Sequence, residues 1–260
     1  MLQTVVQAIG HSQRWSQTLL LAALLGAFGA DRSHADDAVD LPVDQVEEIV
    51  RDYLMREPEI IYQALEELQR RQAAEQAERQ QQMLLSRRDD LENDPATPIA
   101  GNPEGDVALV EFFDYRCGYC RRVLSSMQAL MDEDEKLKVV FKELPVLGDD
   151  SVRAARAALA SRAQNEALYL DFHLALMTAR DLSLAGIRSL ADNIGLDPDQ
   201  LEQDMNSDEV SAAIDANYEL ASALGIEGTP AFVIGDTIVP GAVDKSRLAA
   251  LIQEARTATN

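Results

Sequence analysis

Only two cysteines occur in the 260 residues, and they stand together as Cys117-Gly118-Tyr119-Cys120. They directly follow the run Val107-Ala108-Leu109-Val110-Glu111-Phe112-Phe113. A short, continuous apolar run of this kind is the pattern of a central strand. A helical segment from about Arg121 to Met131 comes next. Lys138-Val139-Val140-Phe141-Lys142 then reads as a second strand, closed by Pro145 and Gly148. Strand, cysteine turn, helix and strand form a βαβ unit, which places the cysteine pair at the start of a helix.

That position has a chemical use. Unpaired backbone N–H groups and the helix dipole stabilise a thiolate on the first cysteine. The thiolate is the form that attacks disulfides, so Cys117 reads as a nucleophile and Cys120 as the resolving thiol. Half of a zinc site is disfavoured, because no further cysteine is present to complete it. A structural disulfide across two residues closes too small a loop to stabilise much. Cu(I) held by Cys117 and Cys120 stays open, since soft thiolates select it. No cofactor is called for. With 45 acidic residues against 23 basic ones and a net charge of −22, binding to nucleic acid is excluded as a role.

The chain begins with a leader-like segment. Thr18 to Ala30 is apolar, Ser33-His34-Ala35 is a small-x-small pattern, and a signal peptide over residues 1–35 is expected. The apolar run is short for a membrane span, which needs roughly 17–25 residues. Removing Arg14, Arg32 and Asp31 with it leaves 21 basic and 44 acidic residues, and His173 as the single histidine.

Residues 36–94 read as an N-terminal helical segment for oligomerisation. Asp44 and Glu47 have capping-box spacing, ahead of a stripe of Val46, Ile49, Val50, Tyr53 and Leu54. Pro58 opens a second helix that runs from Glu59 to about Asp90, with Ile60, Ile61, Ala64, Leu65 and Leu68 on one face. Its polar remainder carries Glu66–Arg70, Glu67–Arg71 and Glu75–Arg79 at i, i+4 spacing. Two apolar stripes without a core of their own call for self-association. Pro95, Pro98, Gly101, Pro103 and Gly105 read as a linker into the main domain, residues 95–260. From about residue 150 to 225 the pattern is helical. Ala231 to Ile234 and Thr237 to Val239 then form a hairpin around Gly235-Asp236, and a last helix runs from about Asp244 to Ala255. The class is α/β with an inserted helical lid.

GNPEGDVALVEFFDYRCGYCRR (residues 101–122) and GIEGTPAFVIGD (225–236) resemble the signatures of periplasmic DsbA-type thiol–disulfide oxidoreductases. FKELPVLG (141–148) and YLDFHLALM (169–177) are similar to that family too, and the resemblance covers residues 98–256. It implies a thioredoxin fold interrupted by a helical insertion. The N-terminal helices resemble those of the ScsC (suppressor-of-copper-sensitivity) branch, where such a segment joins protomers. Gly118-Tyr119 is similar to the dipeptide of the DsbC isomerase, where DsbA has Pro-His, and Thr229 replaces Val before Pro230.

The resemblance implies that Pro230 is a cis-proline against the cysteine pair, and that Thr229 contacts substrate or tunes the thiolate. It also implies that Glu111 is a buried acid relaying protons to the resolving thiol. A carboxylate within VALVEFF is expensive to bury unless functional or paired, and Lys142 is its natural partner on the second strand. His173 reads as structural.

An oligomeric isomerase or reductase of misoxidised exported proteins is the expected function. The implied setting is the periplasm, with a dimer or trimer kept reduced by a membrane thiol reductant of the DsbD/ScsB type. A monomeric dithiol oxidase and a copper-handling thiol protein are the alternatives.

Overall fold

Residues 42–258 are described by the computed structural model, and they fall into a unit ending at Ile61 and one beginning at Tyr62. The expected leader lies outside the described residues. Helix α1 (Val43–Arg56) starts one residue before the expected cap. Its N-cap is Pro42, which makes no side-chain cap bond, so the capping box of Asp44 with Glu47 is not formed. Asp44 instead sits in the first turn, where its charge meets the positive end of the helix. No residue of α1 is buried, and Val46, Ile49, Val50 and Tyr53 are all exposed.

Helix α2 (Glu59–Ser86) has 28 residues, about 42 Å at the standard rise. It stops short of Asp90: the chain breaks at Arg87 and resumes as the short α3 (Arg88–Glu92). Ile61, Leu65 and Leu68 are exposed. Glu67 takes both Arg70 and Arg71, the latter at 2.7 Å, so the Glu66–Arg70 pair is not made. Exposed pairs of this kind contribute at most a few tenths of a kcal/mol.

The remaining elements are β1 (Ile99–Gly101), β2 (Val107–Phe113), α4 (Gly118–Glu133) and β3 (Leu137–Glu143), followed by helices α5 (Asp149–Gln164), α6 (Tyr169–Thr178), α7 (Leu184–Ile194), α8 (Pro198–Asp204) and α9 (Asp208–Ala223). Strands β4 (Ala231–Ile234) and β5 (Thr237–Pro240) and helix α10 (Lys245–Ala258) complete the chain. The sheet order is β1-β3-β2-β4-β5, with β2 and β3 parallel and the other pairs antiparallel. This is a thioredoxin fold with α5–α9 inserted between β3 and β4.

The expected linker is part of this sheet. Its residues 99–101 pair with β3, and Gly101, at φ +71°, passes so close to Leu137 that a Cβ would lie 2.5 Å from its carbonyl oxygen. Glycine is required there.

Each face of the sheet is covered. Leu109, Phe113, Val139, Phe141 and Phe232 pack with Val123, Met127, Phe172 and Leu248. Val110, Phe112, Val140 and Val233 pack with Leu84, Leu91, Leu220 and Leu224. The end of α2 and α3 therefore belong to the core of the main unit, about ten residues ahead of the boundary expected at Asp94.

Leu84→Ala should lower the unfolding free energy by about 2–5 kcal/mol, whereas exposed Leu85→Ala should change it by under about 0.5. Urea denaturation of the two variants checks this, and equal losses would detach α2 from the core.

Candidate active site

Strand β2 delivers the cysteine turn from its carboxyl end. Asp114, the first residue beyond it, is buried, and its Oδ1 accepts hydrogen bonds from the Arg116 N–H at 2.6 Å and the Ser151 hydroxyl at 2.7 Å. Its Oδ2 accepts the Leu147 N–H at 3.0 Å, and its carbonyl accepts the Cys117 N–H at 3.0 Å. One side chain thus ties the turn, the loop after β3 and the first turn of α5 together. Cys117 is the N-cap of α4, and its Sγ accepts the Cys120 N–H at 3.4 Å. The Thr229–Pro230 peptide is cis, and the Thr229 carbonyl oxygen lies 3.2 Å from Cys117 Sγ. Cys117, Cys120, Thr229 and Pro230 are brought together.

The two thiols have different electrostatic settings. Burial is the largest influence on Cys117 and pushes its pKa up. The Thr229 and Cys120 side chains and the N–H groups of Cys120 and Tyr119 together outweigh it, so the thiol is held below its ordinary value. The Thr229 carbonyl accepts from a thiol and repels a thiolate, so the lowering rests on the donors. Cys120 is wholly buried, and burial raises it well above the usual thiol range, with charge on Glu111 and Cys117 adding to the effect. Both cysteines are free.

Glu111 is 3% exposed, its Oε1 has no hydrogen-bond partner among the described residues, and its carboxyl is pushed up to about 8. Burial is the first cause and the Cys117 charge the second.

Lys142 is not its partner. The register pairs Glu111 with Phe141 and Phe112 with Lys142, so the two charged side chains emerge on opposite faces. Lys142 Nζ donates instead to the Asp90 carbonyl at 2.8 Å, Thr97 Oγ1 at 2.5 Å and Asp94 Oδ2 at 3.2 Å. It fastens the segment after α3 to the back of the sheet.

A buried polar layer adjoins Glu111 on the front face. Tyr115 Oη lies 3.0 Å from His173 Nδ1, and Tyr169 donates to Glu143 Oε1 at 2.9 Å. Burial pushes Glu143 up to about 7 and His173 down to about 3, so the imidazole is neutral among Phe113, Phe141 and Tyr169. Tyr119 is 57% exposed two residues after Cys117, and the Arg122 guanidinium lies over its ring at 4.1 Å. Asp114 and Glu143 were missed from sequence. The available signal was an acid at the carboxyl end of each strand run, directly after Phe112-Phe113 for Asp114 and after Val139-Val140-Phe141-Lys142 for Glu143.

A family model described as a DSBA-like thioredoxin domain matches residues 108–253, and one described as the copper resistance protein ScsC N-terminal domain matches residues 43–75. A thioredoxin-like oxidoreductase structure from Silicibacter pomeroyi DSS-3 is 47% identical, with TM-score 0.63, covering 65% of this chain and 98% of its own. Proteus mirabilis ScsC in a transitional conformation is 34% identical, with TM-score 0.64, covering 84% of this chain and 100% of its own. Disulfide bond formation protein D of Bacillus subtilis strain 168 is 21% identical, over 60% of this chain and 76% of its own. Na(+)/H(+) antiporters match as well, among them NhaA 3 of Salinispora tropica at 22% identity over 60% of this chain and 24% of that protein. The chain spans about a quarter of those antiporters' length.

Because the Glu111 pKa rises from 4.5 to about 8, the native state holds more protons than the unfolded one between those values, and stability falls as pH rises through that window. Glu111→Gln removes this loss. Its stability relative to wild type should grow from about pH 4.5 to 8 by up to a few kcal/mol and then level off. Urea melts across this range check it, and a pH-independent difference would mean that the carboxyl is hydrated.

Proposed function

This chain belongs to the DsbA-like family of thioredoxin-fold thiol–disulfide oxidoreductases, and we propose that it is a periplasmic, oligomeric disulfide isomerase or reductase of misoxidised exported proteins. The observation that carries the exchange chemistry is the pairing of an N-cap thiol, held low, with a wholly buried second thiol one turn into the same helix.

The Cys117 thiolate attacks one sulfur of a substrate disulfide, forming a mixed disulfide and expelling the other sulfur as a thiolate. In isomerisation that thiolate attacks a second disulfide of the substrate. A substrate thiolate later breaks the mixed disulfide and frees the Cys117 thiolate, with no net electron transfer. In reduction, Cys120 attacks Cys117 Sγ, which closes the Cys117–Cys120 disulfide and releases reduced substrate. A dithiol on a membrane reductant of the DsbD/ScsB type then reopens the pair.

Glu111 takes part through charge. While Cys117 is a thiolate, its charge helps keep the carboxyl protonated. Formation of the mixed disulfide removes that charge, so the Glu111 proton is released more readily and the carboxylate can accept the Cys120 proton.

The oligomer reading is supported by the exposed stripes Val46–Ile49–Val50–Tyr53 and Ile61–Leu65–Leu68 and by the likeness of residues 43–75 to an ScsC N-terminal domain. Several reduced sites held together suit repeated attack on one scrambled substrate.

Deletion through Asp94 would remove Leu84, Leu91 and a Lys142 partner, so surface substitution is the cleaner test. Ile49→Asp with Leu65→Asp should convert the oligomer to a folded monomer by light scattering. Reactivation of scrambled ribonuclease should fall several-fold, while oxidation of a simple dithiol persists. A monomeric wild type, or a monomeric variant that isomerises equally well, would replace this reading with that of a dithiol oxidase.

A further inference from the structure

A cavity of about 510 Å³ is lined by residues 225–230 of the loop before β4, by Ala231 of β4, by Ile238 and Pro240 of β5, and by Gln80 of α2. Neither cysteine lines it, and Thr229, whose carbonyl meets Cys117 Sγ, links it to the redox pair. The loop side is a backbone edge. The N–H groups of Glu227, Gly228 and Thr229 donate no hydrogen bond among the described residues, and the Thr229 carbonyl is the one that touches Cys117 Sγ. An extended peptide can pair with such an edge through its main chain.

Gln80 reaches this cavity from more than 140 positions earlier in sequence. Its Nε2 makes one long hydrogen bond, 3.4 Å, to the Leu224 carbonyl. That leaves the second N–H and both lone pairs of Oε1 without a partner among the described residues. The side chain is exposed, so nothing in the core requires an amide there. Its turn of helix is nevertheless fixed, because Leu84, one turn on, is buried.

We propose that Gln80 is a specificity-determining residue, whose amide hydrogen-bonds the main chain of the polypeptide segment attacked by Cys117. The inference rests on the exchange reading above and adds to it a contact from outside the thioredoxin fold. Helix α2 becomes one wall of the substrate groove, and a small disulfide without a peptide backbone does not use it.

The test compares the full chain with Gln80→Met, which keeps the length, and Gln80→Ala. Reduction rates are followed for a peptide with an internal disulfide and for bis(2-hydroxyethyl) disulfide. Both variants should raise KM for the peptide by roughly 3- to 10-fold, the range of one hydrogen bond, with kcat unchanged and the small-disulfide rate at wild-type level. An unchanged peptide KM would overturn the inference, as would a parallel loss on both substrates, which would place the effect on the thiol. A wild type inert toward both disulfides would overturn the exchange reading, and the inference with it.

Discussion

The redox centre depends on the desolvation of β2. Leu109 and Phe113 point to one covered face, Val110 and Phe112 to the other, and β3 and β4 close both edges. A strand walled in this way excludes water from the side chains it buries. Glu111, held there, is pushed up to about 8, and Cys120, one turn into α4, is pushed up as well. Burial alone would silence Cys117 too. Its position as the N-cap of α4 gives it hydrogen-bond donors that its neighbour lacks. The difference between two chemically identical thiols, three residues apart, therefore combines the deeper burial of Cys120 and the charges beside it with the larger set of hydrogen-bond donors that the start of α4 gives Cys117.

Asp114 makes that start rigid. It accepts from Arg116, Leu147 and Ser151, so the turn, a loop and the inserted helical block share one carboxylate. On the opposite face Lys142 performs a comparable task with Asp94, Thr97 and the Asp90 carbonyl, locking the segment after α3 to the sheet. Removing either partner leaves a buried group without its bonds, which is costly in a dry interior. The insertion and residues 90–97 are thus fastened to the sheet through different polar clusters, and the half-buried Thr229 and buried Pro230 lie beside Cys117.

The order of elements in the main unit was legible in the sequence. The run before Cys117, the helical block with its Gly195 and Pro198 breaks, and the hairpin at Gly235 are each written in local periodicity and turn residues. What escaped was long-range or set by a shift of one residue. Lys142 and Glu111 stand on neighbouring strands, and a shift of one position decides which face a side chain takes. Strand β1 has three residues among glycines and prolines, which locally look the same as a linker. The break at Arg87 carries neither Gly nor Pro, so periodicity ran through it. Asp114 could not be recognised as a hub because Leu147 and Ser151 lie more than thirty positions away.

The proposed exchange chemistry requires one asymmetry, with Cys117 as the thiolate and Cys120 as the protected thiol. Alkylation of the reduced chain with iodoacetamide across pH, followed by mass spectrometry of each cysteine, measures it directly. Cys117 should react with an apparent pKa below the ordinary thiol value of about 8.5, while Cys120 stays unmodified until the chain unfolds. Equal reactivity of the two residues, or alkylation of Cys120 first, would contradict the account.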